Sequence, residues 1–146
     1  MKSYLSAFDF LRQFRPDDPV VALRPFAARR AAEWFVEHFQ GDVLYALKAN
    51  PDLFVVESLI TGGIRNFDVA SLSEIELLSK YNNVAAFFMH PVKPRHAIRK
   101  AYFEHGVKSF ALDSHEELQK IIDETDNAED LDLYVRIKCS GEGSCI

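Results

Sequence analysis

Beyond a polar stretch ending at Arg15-Pro16-Asp17-Asp18-Pro19, short apolar runs alternate with longer amphipathic segments. That alternation is the mark of successive strand–helix units. Five runs read as strands: Val43–Lys48, Asn66–Ala70, Val84–Met89, Lys108–Leu112 and Leu131–Ile137, with an extra strand allowed at Pro19–Leu23. Helical patterns fill the gaps at Pro25–Phe39, Asp52–Thr61, Ser71–Tyr81, Pro94–Glu104 and Ser114–Glu124. Pro25, Pro51 and Pro94 suit a first helical turn, and Ser71 with Glu74 and Ser114 with Glu117 read as capping boxes. Gly41, Gly62-Gly63 and Gly106 stand where helices must stop. Strand starts fall about 18 to 25 residues apart, a spacing that needs crossovers and so implies parallel neighbours. Either an open doubly wound sheet or part of a closed eight-unit barrel satisfies this, and a full barrel takes about 250 residues. The 146 residues here supply just over half of one.

The strand ends carry the candidate chemistry. They read Lys48, Asp68, His90, Asp113, and Arg136 followed by Lys138. In a parallel sheet these ends share one edge, where both open sheets and barrels build their sites. Any one polar strand end is ordinary loop chemistry, but five together are more than that. Period-two geometry puts Leu44, Ala46 and Lys48 on one face, Asp68 with Ala70 on one face of the second strand, and Tyr134, Arg136 and Lys138 on one face of the fifth. A confined lysine is a useful nucleophile, because burial and nearby cations lower its pKa and the neutral amine condenses with an aldehyde such as pyridoxal phosphate. On the residues alone, Lys48 also reads as a surface lysine or as a structural partner of Asp68.

Composition narrows the partners. With 22 acidic against 17 basic side chains and a net charge of -5, the chain has no basic patch for nucleic acid. The longest uncharged apolar stretch, Val84–Met89, is far short of the roughly 20 residues that cross a bilayer. The N-terminus lacks the layout of a secretory signal, so a cytoplasmic location is expected. Cys139 and Cys145 suit neither a disulfide framework nor a zinc site and read as free thiols; no metal is expected. His38, His96, His105 and His115 read as solvent-facing or structural, Glu116-Glu117 and Asp123-Glu124 as solvated helix surface, and Trp34 with Ala31, Phe35 and Phe39 as packed on the sheet.

Tyr45-Ala46-Leu47-Lys48-Ala49-Asn50-Pro51 resembles the cofactor-lysine motif of the alanine-racemase-like (group IV) amino-acid decarboxylases, which use pyridoxal 5'-phosphate. Phe67-Asp68-Val69-Ala70-Ser71-Leu72-Ser73-Glu74-Ile75, Phe88-Met89-His90-Pro91-Val92-Lys93, Phe110-Ala111-Leu112-Asp113-Ser114 and Val135-Arg136-Ile137 resemble that family's next four strand motifs, in order and spacing. The wording at His90–Lys93 and Gly141-Glu142-Gly143-Ser144 is most similar to bacterial ornithine decarboxylases, some of which accept lysine; diaminopimelate decarboxylase is similar but less so.

The resemblance implies an α/β fold, a partial (β/α)8 barrel of about the first five strands with flanking helices. Residues 1–18 would be a leader and 19–146 an incomplete cofactor-binding barrel domain, without the family's C-terminal β domain. It implies that Lys48 bonds the cofactor, that Ala46 lines its floor, and that Asp68 and Arg136 lie near it as a pair, with Glu74 and His90 in support. The implied activity is decarboxylation of a basic amino acid, ornithine to putrescine, in polyamine synthesis, by a homodimer when full-length. This chain alone, resembling an N-terminal piece, is expected to be inactive. The competing expectations are a decarboxylase-like binding protein without catalysis and a diaminopimelate-decarboxylase-type fragment. Cys145 does not match the family's interface cysteine.

Overall fold

In the computed structural model, which describes residues 4–138, five parallel strands lie side by side in chain order. They are β1 (Leu44–Ala46), β2 (Asn66–Val69), β3 (Ala85–Phe88), β4 (Ser109–Leu112) and β5 (Asp132–Val135). Six helices accompany them: α1 (Ala7–Phe14), α2 (Pro25–His38), α3 (Leu53–Thr61), α4 (Leu72–Leu78), α5 (Arg95–His105) and α6 (His115–Glu124). Register runs Ala46 beside Asp68, Asp68 beside Phe87, and Ala111 beside Tyr134. Each strand is shorter than its sequence pattern predicts, because the apolar runs continue into the loops that leave the sheet.

One face of the sheet carries Phe67, Val69, Phe88, Phe110 and Leu112, all buried in a single core with Val56, Leu59, Ile75, Ile98 and Ile121 from the helices. Burying each of these large side chains stabilises the fold by roughly 1.5–3 kcal/mol. Alternation puts Ala46, Asp68, Phe87, Ala111 and Tyr134 on the other face, and there Phe87 meets Tyr134 edge to face at 6.1 Å, above the small Ala111. A doubly wound sheet would build a core on both faces. A core on one side only makes this an α/β partial barrel, with the second face as its interior.

Local signals set most helix starts. Pro25 occupies the first position of α2, Asp52 caps α3 by accepting the Phe54 N–H at 2.9 Å, and Ser71 and Ser114 cap α4 and α6. Three expectations change. Pro51 precedes the cap of α3 and Pro94 is itself the cap position of α5, so neither lies in a first turn. Pro19–Leu23 forms no strand. The leader contains α1, capped by Ser6, with Tyr4, Phe10 and Phe14 packed on one another at 4.9–5.6 Å.

A fourth correction concerns α2. Trp34 is 55% exposed, Phe35 and Phe39 about as much, and Ala31 is exposed too; only Ala32 is buried. The helix docks through its small residues because the α3 terminus comes very close: a Cβ on Gly62 would lie 2.6 Å from the Arg29 carbonyl oxygen and 2.7 Å from the Ala32 Cβ. The large aromatics are left outside, where Trp34 stacks on His38 at 4.9 Å. No helix of the described residues is long and apolar enough to cross a membrane.

A buried ion pair closes the strand-end side of the sheet. Lys93, in the loop after β3, and Glu117, in the first turn of α6, are 1% and 4% exposed and lie 2.9 Å apart. The ammonium also donates to the carbonyl oxygens of His90 and Ala111, so its three protons meet three oxygens. Glu117 further accepts the Lys93 backbone N–H at 3.1 Å and pairs with Lys120. Glu117 is therefore not solvated helix surface, and its capping box is half made: its N–H binds Ser114 while its carboxylate turns inward. Burial pushes the Glu117 carboxyl up, but the ammonium groups of Lys120 and Lys93 outweigh it and hold it below the ordinary 4.5. Burial likewise pushes Lys93 below its ordinary value, opposed by Glu117.

Two outcomes follow from this packing. Gly62→Ala forces the α2 backbone away and should lower unfolding free energy by about 1–3 kcal/mol in urea titration. Glu117→Leu strands a buried ammonium and should cost about 3–5 kcal/mol. A lowered carboxyl pKa contributes stability above the unfolded value that is lost as pH falls through the folded one. The wild-type urea midpoint should therefore drop as pH falls below 4.5, and the variant should lack that part of the drop.

Candidate functional site

The C-terminal edge of the sheet gathers the charged strand ends that the sequence singles out. Lys48 sits just past β1, which stops at Ala46, so strand alternation does not itself aim the lysine. A single 3-10 turn at Leu47–Ala49 does. Leu47 is fully buried in the core, and anchoring it turns Lys48 out onto the edge. The next residues are pinned: the Tyr45 hydroxyl donates to the Asn50 carbonyl at 3.4 Å, and the Asn50 side chain accepts the Asp52 N–H at 3.0 Å. Lys48 is therefore exposed and not confined, contrary to the pocketed lysine the sequence suggests. Lys93, Lys108 and Lys120 pair with carboxylates; among the described residues Lys48 has no such partner, nor do Lys80, Lys100 and Lys138, which stand away from β1.

Ala46, two residues before Lys48, and Asp68 are register partners on adjacent strands, both half-buried on the interior face. Arg136 follows β5, exposed, with its N–H bonded to the Leu112 carbonyl at 2.8 Å. β3 and β4 lie between β2 and β5. Among the described residues Asp68 and Arg136 form no ion pair with each other. Glu74 accepts the Ala70 N–H at 2.6 Å and so fixes the turn that leaves β2. The His90 imidazole is exposed at the end of β3, while its carbonyl holds Lys93.

Sequence reasoning missed Lys93 and Glu117, which underlie the middle of this edge. The partners are 24 residues apart, and Glu117 falls on a position that a local cap already explains. Hints were present in a lysine directly before Pro94, where the backbone must be extended, and in the capping position of Glu117. The two cysteines lie outside the described residues, as does the Gly141–Ser144 segment. Among the described residues, no group of three His, Cys, Asp or Glu could hold a metal ion.

Chemically, the edge is an open shelf: a free primary amine, a small alanine beside it, one carboxylate close by and one guanidinium across. Depressions lined by Pro25, Arg29 and Glu57, and by Val36, Asp42 and Arg65, lie away from it, on the α2–α3 surface and at the opposite ends of β1 and β2. The donor set fits an aldehyde-bearing aromatic group such as pyridoxal phosphate. The amine would meet the aldehyde, the alanine would leave room for a flat ring, and the carboxylate would answer positive charge.

Comparison with known proteins agrees. The chain is similar over 92% of its length to lysine/ornithine decarboxylase of Vibrio vulnificus, solved with putrescine, at 29% identity and a TM-score of 0.74. It is also similar in fold to lysine decarboxylase of Selenomonas ruminantium (24% identity, TM-score 0.76, 94% of this chain) and to the Paramecium bursaria Chlorella virus arginine decarboxylase bound to agmatine (22%, 0.77, 93%). The chain spans 36–38% of the length of those three solved chains. A search of curated proteins finds no match. Residues 27–145 match the model of the pyridoxal-dependent decarboxylase pyridoxal-binding domain, and a match over that much of the sequence means that the chain belongs to the pyridoxal-dependent decarboxylases.

Proposed function

We propose that this chain holds pyridoxal 5'-phosphate at the strand-end shelf through Lys48, as the cofactor-binding part of a decarboxylase of a basic amino acid. In this reading residues 19–146 are the barrel part of that domain, and residues 1–18 a leader. The observation that carries the proposal is Lys48 itself: an amine without an ion-pair partner among the described residues, placed by the buried Leu47 at the C-terminal edge of the first strand.

Bound there, the cofactor supplies an aldehyde for a covalent bond and an electron-poor ring that accepts the electron pair freed when a carboxylate leaves as carbon dioxide. The residues of the chain supply the rest. Lys48 provides the amine and, once released from its bond, a group able to carry a proton at Nζ. Ala46 leaves the floor open to a flat ring. Asp68, half-buried next to it, places a carboxylate where a ring or substrate cation must be held. Arg136, about four strand spacings from β1, offers a planar fork to an anionic group at the far side of the shelf. Glu74 acts at one remove by fixing the turn after Asp68, and His90 stands at the rim.

Ornithine, giving putrescine, is the proposed substrate, with lysine giving cadaverine as the second. Support comes from the wording of the His90–Lys93 segment and from the Vibrio vulnificus enzyme, which has been solved with each of these two diamines. A diamine product would place the full enzyme in polyamine synthesis.

Borohydride reduction after mixing the chain with pyridoxal phosphate tests the reading. The added mass should fall on the peptide containing Lys48 and vanish in Lys48→Ala, and ornithine or lysine should suppress it more than glutamate does. Label spread evenly over surface lysines, unchanged in Lys48→Ala, would overturn the proposal.

A further inference from the structure

The buried Lys93–Glu117 pair is more elaborate than core filling requires. Two charges withdrawn from water gain little net stability over well-packed apolar residues of the same volume. What the pair adds is geometry. Its ammonium binds the His90 carbonyl from its own loop, the Ala111 carbonyl within β4 and the Glu117 carboxylate from α6, and it lies 5.7 Å from the Phe88 ring centroid at the end of β3. The carboxylate returns a bond to the Lys93 backbone N–H, closing the loop after β3 onto α6. The loop after β3, the end of β4 and the first turn of α6 thus converge on one nitrogen.

These bonds sit beneath the strand ends and not at the opposite side of the sheet. His90 lies two residues past the end of β3 and Asp113 directly follows β4, both exposed on the shelf. Asp113 adds a weaker favourable charge to the same ammonium.

We infer that Lys93 is a positioning residue: with Glu117 it fixes the C-terminal ends of β3 and β4, and so holds His90 and Asp113 at the rim of the shelf that Lys48 and Asp68 occupy. The inference rests on the shelf being the functional edge. Lys93 itself touches neither cofactor nor substrate in this account, since its protons are all engaged inside the protein.

Amide hydrogen exchange separates positioning from plain stabilisation, because each end of the sheet carries a reporter. The Met89 N–H binds the Val69 carbonyl and the Arg136 N–H the Leu112 carbonyl at the C-terminal edge. The Ala85 N–H binds the Arg65 carbonyl and the Asp132 N–H the Lys108 carbonyl at the other. In the double variant Lys93→Met with Glu117→Leu, the charges leave together and the core is refilled. Exchange at Met89 and Arg136 should then speed up about tenfold more than at Ala85 and Asp132. Equal acceleration at both ends, or none, would show that the pair only stabilises and would overturn the inference. Lys93→Arg, which keeps the charge but presents a planar fork to three diverging oxygens, should give the same skew if the double variant fails to fold. Labelling of Lys48 by pyridoxal phosphate and borohydride in the wild type is scored separately, so failure of the cofactor reading is distinguishable from failure of the tie.

Discussion

Helical crossovers between parallel strands oblige every strand to end on the same side of the sheet. The rest of this structure depends on that constraint. It takes five residues scattered from Lys48 to Arg136 and sets them along one edge, although nothing in the local sequence brings them near one another. The strands themselves are three or four residues long, so each gives the interior only two side chains before the chain reaches that edge.

The two faces of the sheet divide the work. The helix-side face holds Phe67, Phe88 and Phe110 in the core and gives the fold its stability. The interior face is uneven: Phe87 and Tyr134 close over the small β4 residues, while Ala46 and Asp68 leave the β1–β2 end half-open. That open end is beside Lys48. The shelf is thus shaped by where large residues are absent as much as by where charged ones stand, and the buried Leu47 links the two by anchoring the turn that presents the lysine.

Much of this was legible in the sequence. All five strands and the helices between them lie where apolar periodicity puts them, because each is a local pattern, and Ser71, Ser114 and Gly106 mark helix ends by local hydrogen bonds and by a positive φ at the glycine. The misreadings concern partners distant along the chain. Trp34 looks like a core residue on its helix, yet the close approach of Gly62 selects Ala32 for the interface. Glu117 looks like a cap, yet Lys93, 24 residues earlier, takes its carboxylate. The α1 helix was hidden by its short length and charged neighbours, and the Asp68–Arg136 pair suggested by resemblance is not among the ion pairs of the described residues. The family motifs pointed to the correct edge, while the distances across it came only with the fold.

The central claim is that the C-terminal strand edge, and no other surface, receives the cofactor. Backbone amide chemical shifts followed by NMR during titration with pyridoxal phosphate test it most directly. The account predicts that the large changes cluster at Lys48, Asp68, Ala70 and Arg136. Changes concentrated at the other side of the sheet, around Asp42, Gly63 and Lys108, or at the exposed aromatics of α2, would contradict it.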